Sequence, residues 1–174
     1  MTDKRSFTVR DMTYVGILAA LCIAGTMIKI PLGTGAMVHL GTAVVFTSGI
    51  LFGGVYAGLA AAIGSAFFDL LMGFSPYTVW SFVIKGGAGL IVGTVAKGLW
   101  PESSGSNEKW LLRAVFGCLL AAAWTLGGYV AAWTQVIGSF TVALGNMPAS
   151  LLTSTAGFIV AMALAPKLRK AIKR

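Results

Sequence analysis

The stretch LGTAVVFTSGILFGGVYAGLAAAIGSAFFDLLM, residues 40–72, contains a single charged side chain, Asp69. A helix crosses the hydrocarbon core of a bilayer with about 20 mostly apolar residues. This stretch is too long for one crossing. Gly53-Gly54 near its middle supplies the turn that divides it into segments over 40–52 and 54–72.

Outward from this pair, apolar segments run over 11–30, 77–99, 110–135 and 146–165, which makes six in all. The expectation is an all-α integral membrane protein, a single transmembrane domain over residues 1–174 with six transmembrane helices. The segments 40–52 and 54–72 are short for full spans, so one of them is expected to be tilted, broken or partly re-entrant.

Composition agrees. The 174 residues are 57% hydrophobic and 10% charged, and mean hydropathy is +0.86. Soluble domains carry about 25% charged residues, and a small soluble protein has too little interior to hide so much apolar surface. Lipid accepts it. The 23 glycines also suit membrane helices, whose backbones approach closely where side chains are small. Cys22 and Cys118 fall inside apolar segments and read as small hydrophobes. No cleavable signal peptide is expected, because the polar start MTDKRSFTVR leads to an apolar run without a small-residue cleavage site.

The net charge of +8 is distributed as membrane topology requires. Lys4, Arg5 and Arg10 precede the first segment. Lys97, Lys109 and Arg113 flank the loop after the fourth. Lys167, Arg169, Lys170, Lys173 and Arg174 follow the sixth. Placing all three groups in the cytoplasm satisfies the positive-inside rule, with both termini cytoplasmic. The basic charge therefore points to a lipid bilayer and the plasma membrane, with no nucleic acid as partner. The outer connections are then 31–39, 73–76 and 136–145. The first, PLGTGAMVH, is glycine-rich and is either a plain connector or a lid over a site beneath it. No duplication of three helices is visible.

Charges inside a span are costly and usually pair or serve function. Lys29, His39, Asp69 and Lys85 fall in or near the outer halves of the segments. Lys85 either pairs with Asp69 across a short loop or points into a cavity. His39 reads as an interfacial residue or a ligand contact, and Lys29 as a snorkelling side chain. Trp80, Tyr129 and Trp133, with Trp124 deeper, are either interfacial anchors or, together with Gln135, Asn146, Ser150 and Thr153, the lining of a pocket. Flat ligands are held by aromatic stacking plus a few placed polar groups.

No phosphate-binding G-x-x-x-x-G-K-[ST] loop, H-E-x-x-H pair or His/Cys cluster occurs. No enzyme activity, metal or cofactor is expected. An assembly scaffold or an integral lipid enzyme is the alternative class, but the acidic residues assigned to the inner side, Asp11, Glu102 and Glu108, come without a histidine.

Four pieces of sequence carry a family resemblance: HLGTA at His39–Ala43, LFGGVYAG at Leu51–Gly58, GSAFFDLLMG at Gly64–Gly73 and SPYTVWSFVIKG at Ser75–Gly86. With the A-x-x-x-A spacing of Ala20 and Ala24, the chain resembles the substrate-binding S components of energy-coupling factor (ECF) vitamin transporters, in the riboflavin-type branch. The resemblance covers most of the chain and is specific in the first four segments. It implies a six-helix subunit that binds a vitamin or vitamin precursor with high affinity near the outer face. The subunit docks on a transmembrane scaffold (T) subunit carried by two ATPase (A) subunits. Ala20 and Ala24 are then the scaffold-coupling residues, and the energy comes from partners that own the phosphate loop missing here. The expected binding residues are Trp80, Lys85, Tyr129, Trp133, Gln135, Asn146 and His39. The outer half offers no acidic cluster, which argues against a cationic ligand such as thiamine. A small aromatic heterocycle is expected, pyridoxine or hydroxymethylpyrimidine, with riboflavin and pantothenate next.

The charge pattern sets an expected topology. Single cysteines introduced at positions within 101–108 should react with membrane-impermeant reagents from the cytoplasmic side, and those within 33–37 from the outer side. Reaction of both sets from one side would overturn the six-helix arrangement.

Overall fold

The computed structural model describes residues 7–32, 36–100 and 109–172. The loop positions 33–35 and 101–108, and the basic residues Lys4, Arg5, Lys173 and Arg174, lie outside the described residues.

Helix α1 spans Val9–Met27 and is started by a reciprocal cap. The Thr8 hydroxyl accepts from the Asp11 amide at 3.3 Å, and the Thr8 amide donates to Asp11 Oδ2 at 2.8 Å. Asp11 is buried and also accepts from the Tyr56 hydroxyl of the third helix, so the start of α1 is tied to the bundle. One stripe of α1, with Val15, Leu18, Ala19, Cys22 and Thr26, faces inward.

The first segment was expected to continue to residue 30, but it ends at Met27. Pro31 opposes continuation, because in a helix its ring would clash with the carbonyl four residues back, that of Met27. The expected connector is instead an antiparallel hairpin. Strand β1 (Lys29–Leu32) pairs with β2 (Ala36–His39), Lys29 opposite His39 and Pro31 opposite Met37. The hairpin is fastened at two points. Thr153 Oγ1 donates to the Met37 carbonyl at 3.1 Å, and the Leu40 amide donates back to Gly25 O at 3.1 Å.

Helix α2 (Gly41–Phe52) has 12 residues and rises about 18 Å, well short of a hydrocarbon core of about 30 Å. Helix α3 (Gly54–Leu71) follows at once. The turn between them is at Gly53, whose φ of +89° suits glycine and few other residues. A single 3₁₀ turn at Ser75–Tyr77 leads into α4 (Thr78–Ala96), which stops three residues before the expected end at 99. The chain after α4 caps α3: the amides of Gly54 and Val55 donate to Gly98 O and Leu99 O, each at 2.9 Å. Those are otherwise orphaned donors of a helix start. Helix α5 (Trp110–Ile137) ends on Gly138, in left-handed conformation with φ of +76°. The short α6 (Phe140–Gly145) and the long α7 (Met147–Ile172) complete the chain.

Among the described residues, five helical stretches are long and apolar enough to cross a membrane: Val9–Met27, Gly54–Leu71, Ser75–Ala96, Trp110–Ile137 and Phe140–Ala171. The short apolar α2 is the sixth segment and lies among them, against α1, α3, α4 and α7. Helix α3 packs along α4, α4 along α5, and α1 against α3. Many large apolar residues point outward, including Ile17, Leu21, Phe67, Val79, Leu112 and Ile159. That is the surface of a protein solvated by lipid.

The tightest seam runs between α4 and the α2–α3 corner. A methyl group placed on Gly93 would fall into the backbone of Gly53 and Gly54, and one on Gly89 into that of Ala57 and Gly58. Backbone here meets backbone. Gly93→Ala should therefore destabilise the purified protein by about 1–3 kcal/mol, as overpacking does. Gly127→Ala, whose added methyl has nothing within 4 Å, should leave the thermal midpoint in detergent nearly unchanged. Equal midpoints for both variants would contradict this packing.

Candidate functional site

Where the hairpin meets the bundle, the helices enclose a cavity of about 60 Å³. Each wall comes from a different element. Strand β2 roofs it with Met37 and His39, and α3 contributes Asp69 from its last turn. The α3–α4 turn gives Phe74 and Tyr77, α4 gives Ser81 and Lys85, α5 gives Thr125, Tyr129 and Trp133, and α7 gives Ser150, Thr153 and Ser154. The α4 and α5 residues recur every fourth position, one turn of helix, so each set lies on a single face.

The α5 wall is aromatic. The Tyr129 and Trp133 rings stack at 5.5 Å between centroids, with planes inclined by 29°. Lys85 Nζ lies 5.3 Å from the Tyr129 centroid and donates to Thr42 Oγ1 on α2 at 3.1 Å. Sequence spacing allowed an ion pair between Lys85 and Asp69, but the carboxylate takes a different environment. It interacts with the Ser81 hydroxyl, and its Oδ2 is buried without a hydrogen-bond partner. Ser81 Oγ is also 3.2 Å from the Tyr129 hydroxyl, which links α3, α4 and α5 through polar groups. His39 Nδ1 accepts from the Gly41 amide at 3.1 Å, so the imidazole is neutral with its proton on the other nitrogen.

Of the residues expected from sequence, His39, Lys85, Tyr129 and Trp133 line this cavity, together with Ser150 and Thr153. Trp80, Gln135 and Asn146 do not. Trp80 is half-buried one position before the lining residue Ser81, Gln135 is exposed, and Asn146 is buried at the junction of α6 and α7. Trp124 donates to Ile84 O at 3.0 Å and braces α5 on α4. Lys29 lies over the rings of Phe68 and Phe74, at 4.7 and 5.1 Å, outside the lining. The sequence offers Asp69 only as a partner for Lys85 and does not single out Ser81, Thr125, Tyr77, Met37, Phe74 or Ser154 as lining. The four-residue steps Ser81–Lys85 and Thr125–Tyr129–Trp133 were the available signal.

Ala20 and Ala24 are exposed on the outward face of α1, beside the exposed Ile17 and Leu21. Among the described residues no three His, Cys, Asp or Glu side chains gather into a metal site.

Five helices long and apolar enough to cross a membrane, packed around a small aromatic and polar cavity, define a helical membrane protein. A model of the family described as ECF-type riboflavin transporter, S component, matches residues 6–170, and the chain belongs to that family. It is also similar to the thiamine precursor transporter HmpT of Lactococcus lactis subsp. cremoris (strain MG1363), 26% identical over 169 residues, which are 95% of this chain and 89% of the relative. A UPF0397 protein of Exiguobacterium sp. is 32% identical over 130 residues, 73% of this chain and 69% of that protein. An uncharacterised protein of Pyrococcus woesei is 30% identical over 80 residues, 45% of this chain and 53% of that one. The chain is thus a multi-pass membrane protein of a transporter family that handles small vitamins with ECF partners.

The cavity makes an expectation that separates its lining from its neighbourhood. Stacking against a buried aromatic is worth about 1 kcal/mol beyond area burial, and 1.4 kcal/mol is tenfold in affinity. Trp133→Ala should weaken ligand binding about tenfold or more by isothermal titration, whereas Gln135→Ala should leave it unchanged. The reverse ranking would move the site away from this cavity.

Proposed function

We propose that this chain is the high-affinity substrate-capturing subunit of an ECF importer in the plasma membrane, and that it takes up a small aromatic heterocycle of the vitamin-precursor class. The observation that carries the reading is the cavity itself: a stacked Tyr129–Trp133 wall, buried polar groups from four elements, and a hairpin roof. One stacked aromatic wall with a few placed polar groups suits a single flat ring, hydroxymethylpyrimidine or pyridoxine. The similarity to a thiamine precursor transporter supports the same choice.

In this reading the termini are cytoplasmic and the hairpin faces outward. The site residues are His39, Asp69, Lys85, Tyr129 and Trp133. Ala20 and Ala24 form the coupling face that meets the transmembrane scaffold subunit, which two ATPase subunits energise. Their small side chains leave a flat strip on α1 where a partner helix can approach closely.

Two measurements test the reading. Mass spectrometry of small molecules released from the purified, denatured protein should find a monocyclic vitamin or precursor. Ala20→Trp or Ala24→Trp should abolish uptake and co-purification with the scaffold and ATPases, while affinity of the separate subunit changes less than about threefold. Intact uptake in both variants, or collapsed affinity with assembly preserved, would refute the coupling assignment.

A further inference from the structure

Asp69 and Lys85 carry opposite charges, each is only 5% exposed, and both line the same cavity. Such groups normally close on each other, because a buried charge without compensation is costly. Here they do not. Lys85 Nζ gives one of its three N–H groups to the neutral hydroxyl of Thr42. Asp69 Oδ2 is buried with no hydrogen-bond partner at all. A buried acceptor left open in a cavity wall is a place for a donor that arrives from elsewhere. The remaining titratable neighbour adds no charge, because His39 Nδ1 accepts a backbone N–H and its ring is neutral. Lys29 is held against Phe68 and Phe74 and does not line the cavity.

The cavity wall thus offers one anionic acceptor and one cationic donor, with the charge of Lys29 acting on Asp69 from outside the lining. An anionic ligand would meet the carboxylate and a cationic one would meet the ammonium, each in a site where water screens little. A neutral ring with a donor on one edge and an acceptor on another satisfies both at once. The stacked Tyr129–Trp133 wall sets the ligand's flatness.

We infer that Asp69 and Lys85 are the specificity-determining pair of this cavity, and that its ligand is an electrically neutral single-ring heterocycle carrying an amino or hydroxyl donor for Asp69 and a ring nitrogen or oxygen acceptor for Lys85. This rests on the functional reading above and narrows it: carboxylate-bearing vitamins such as pantothenate and permanent cations such as thiamine are rejected by the pair.

The test is a titration panel on the full chain in detergent or nanodiscs, with hydroxymethylpyrimidine bearing its ring amino group, pyridoxine, nicotinate and thiamine as probes. At least one of the two neutral rings should bind at least tenfold more tightly than either charged probe. Asp69→Asn should weaken that neutral ring at least tenfold and improve nicotinate relative to it, since Lys85 is then unopposed. Lys85→Met should also weaken the neutral ring but shift preference toward thiamine. These opposite shifts are not expected of residues that only hold the fold. Thermal melts report whether the variants are folded, and the wild-type ranking is decisive even if they are not. A charged probe that equals or outranks both neutral rings on the wild type overturns the inference, as do folded variants that keep the wild-type ranking. A protein that binds no probe yet supports vitamin uptake with its scaffold and ATPases also overturns it, while leaving the functional reading intact. One that neither binds nor assembles removes both.

Discussion

Backbone-to-backbone contact along one glycine seam is the constraint on which the arrangement depends. Gly89 and Gly93 of α4 lie directly against Ala57–Gly58 and Gly53–Gly54. In lipid there is little hydrophobic drive to bring helices together, so close van der Waals approach has to do it. The seam brings α4 alongside α3, and with it Ser81 and Lys85 come level with Asp69 from the last turn of α3. The main-chain bonds from Gly54 and Val55 to Gly98 and Leu99 lock the other end of the same pair. The polar side chains of the cavity are thus held by a contact in which no side chain takes part.

Burial of charge follows from this geometry. Lys85 reaches Thr42 on α2 because α2 is short and packs against α4. Asp69 stays apart from it, beside Ser81. Charges in a membrane interior usually mark function, and both members of this pair line the cavity. The aromatic wall on α5 is fixed independently, by Trp124 bonding to Ile84 of α4 and by the stacking of Tyr129 on Trp133.

Much of the architecture was legible in sequence because lipid imposes a simple rule on length and charge. Gly53-Gly54 gave the α2–α3 corner, and the segments over 40–52, 54–72 and 110–135 lie within two residues of the helices found. The hairpin was not legible. Its strands are four residues each, and so short an alternation resembles a loop. Within the site, residue type was a good guide and rotation a poor one. Trp80 and Ser81 differ by one position, about 100° of helix, and it is the smaller serine that faces the cavity. Gln135 lies two positions beyond Trp133, on another face of α5, and is exposed. Asp69 was visible as a charge within a span, but nothing in the spacing showed that Lys85 turns to Thr42 and leaves Asp69 Oδ2 open.

The hairpin has a mechanical consequence. Ile28 alone separates the end of α1 from the start of β1, and the Leu40 amide returns to Gly25 of α1. The outward face of α1 and the roof over the cavity are therefore one continuous piece of chain. A sideways load on that face travels along a stiff rod of 19 residues to the strands that carry Met37 and His39. The same rod is bolted to α3, by the Tyr56 hydroxyl on Asp11 and by Gly64 seated against Ala19, so a push on the handle strains the hatch and the hull together.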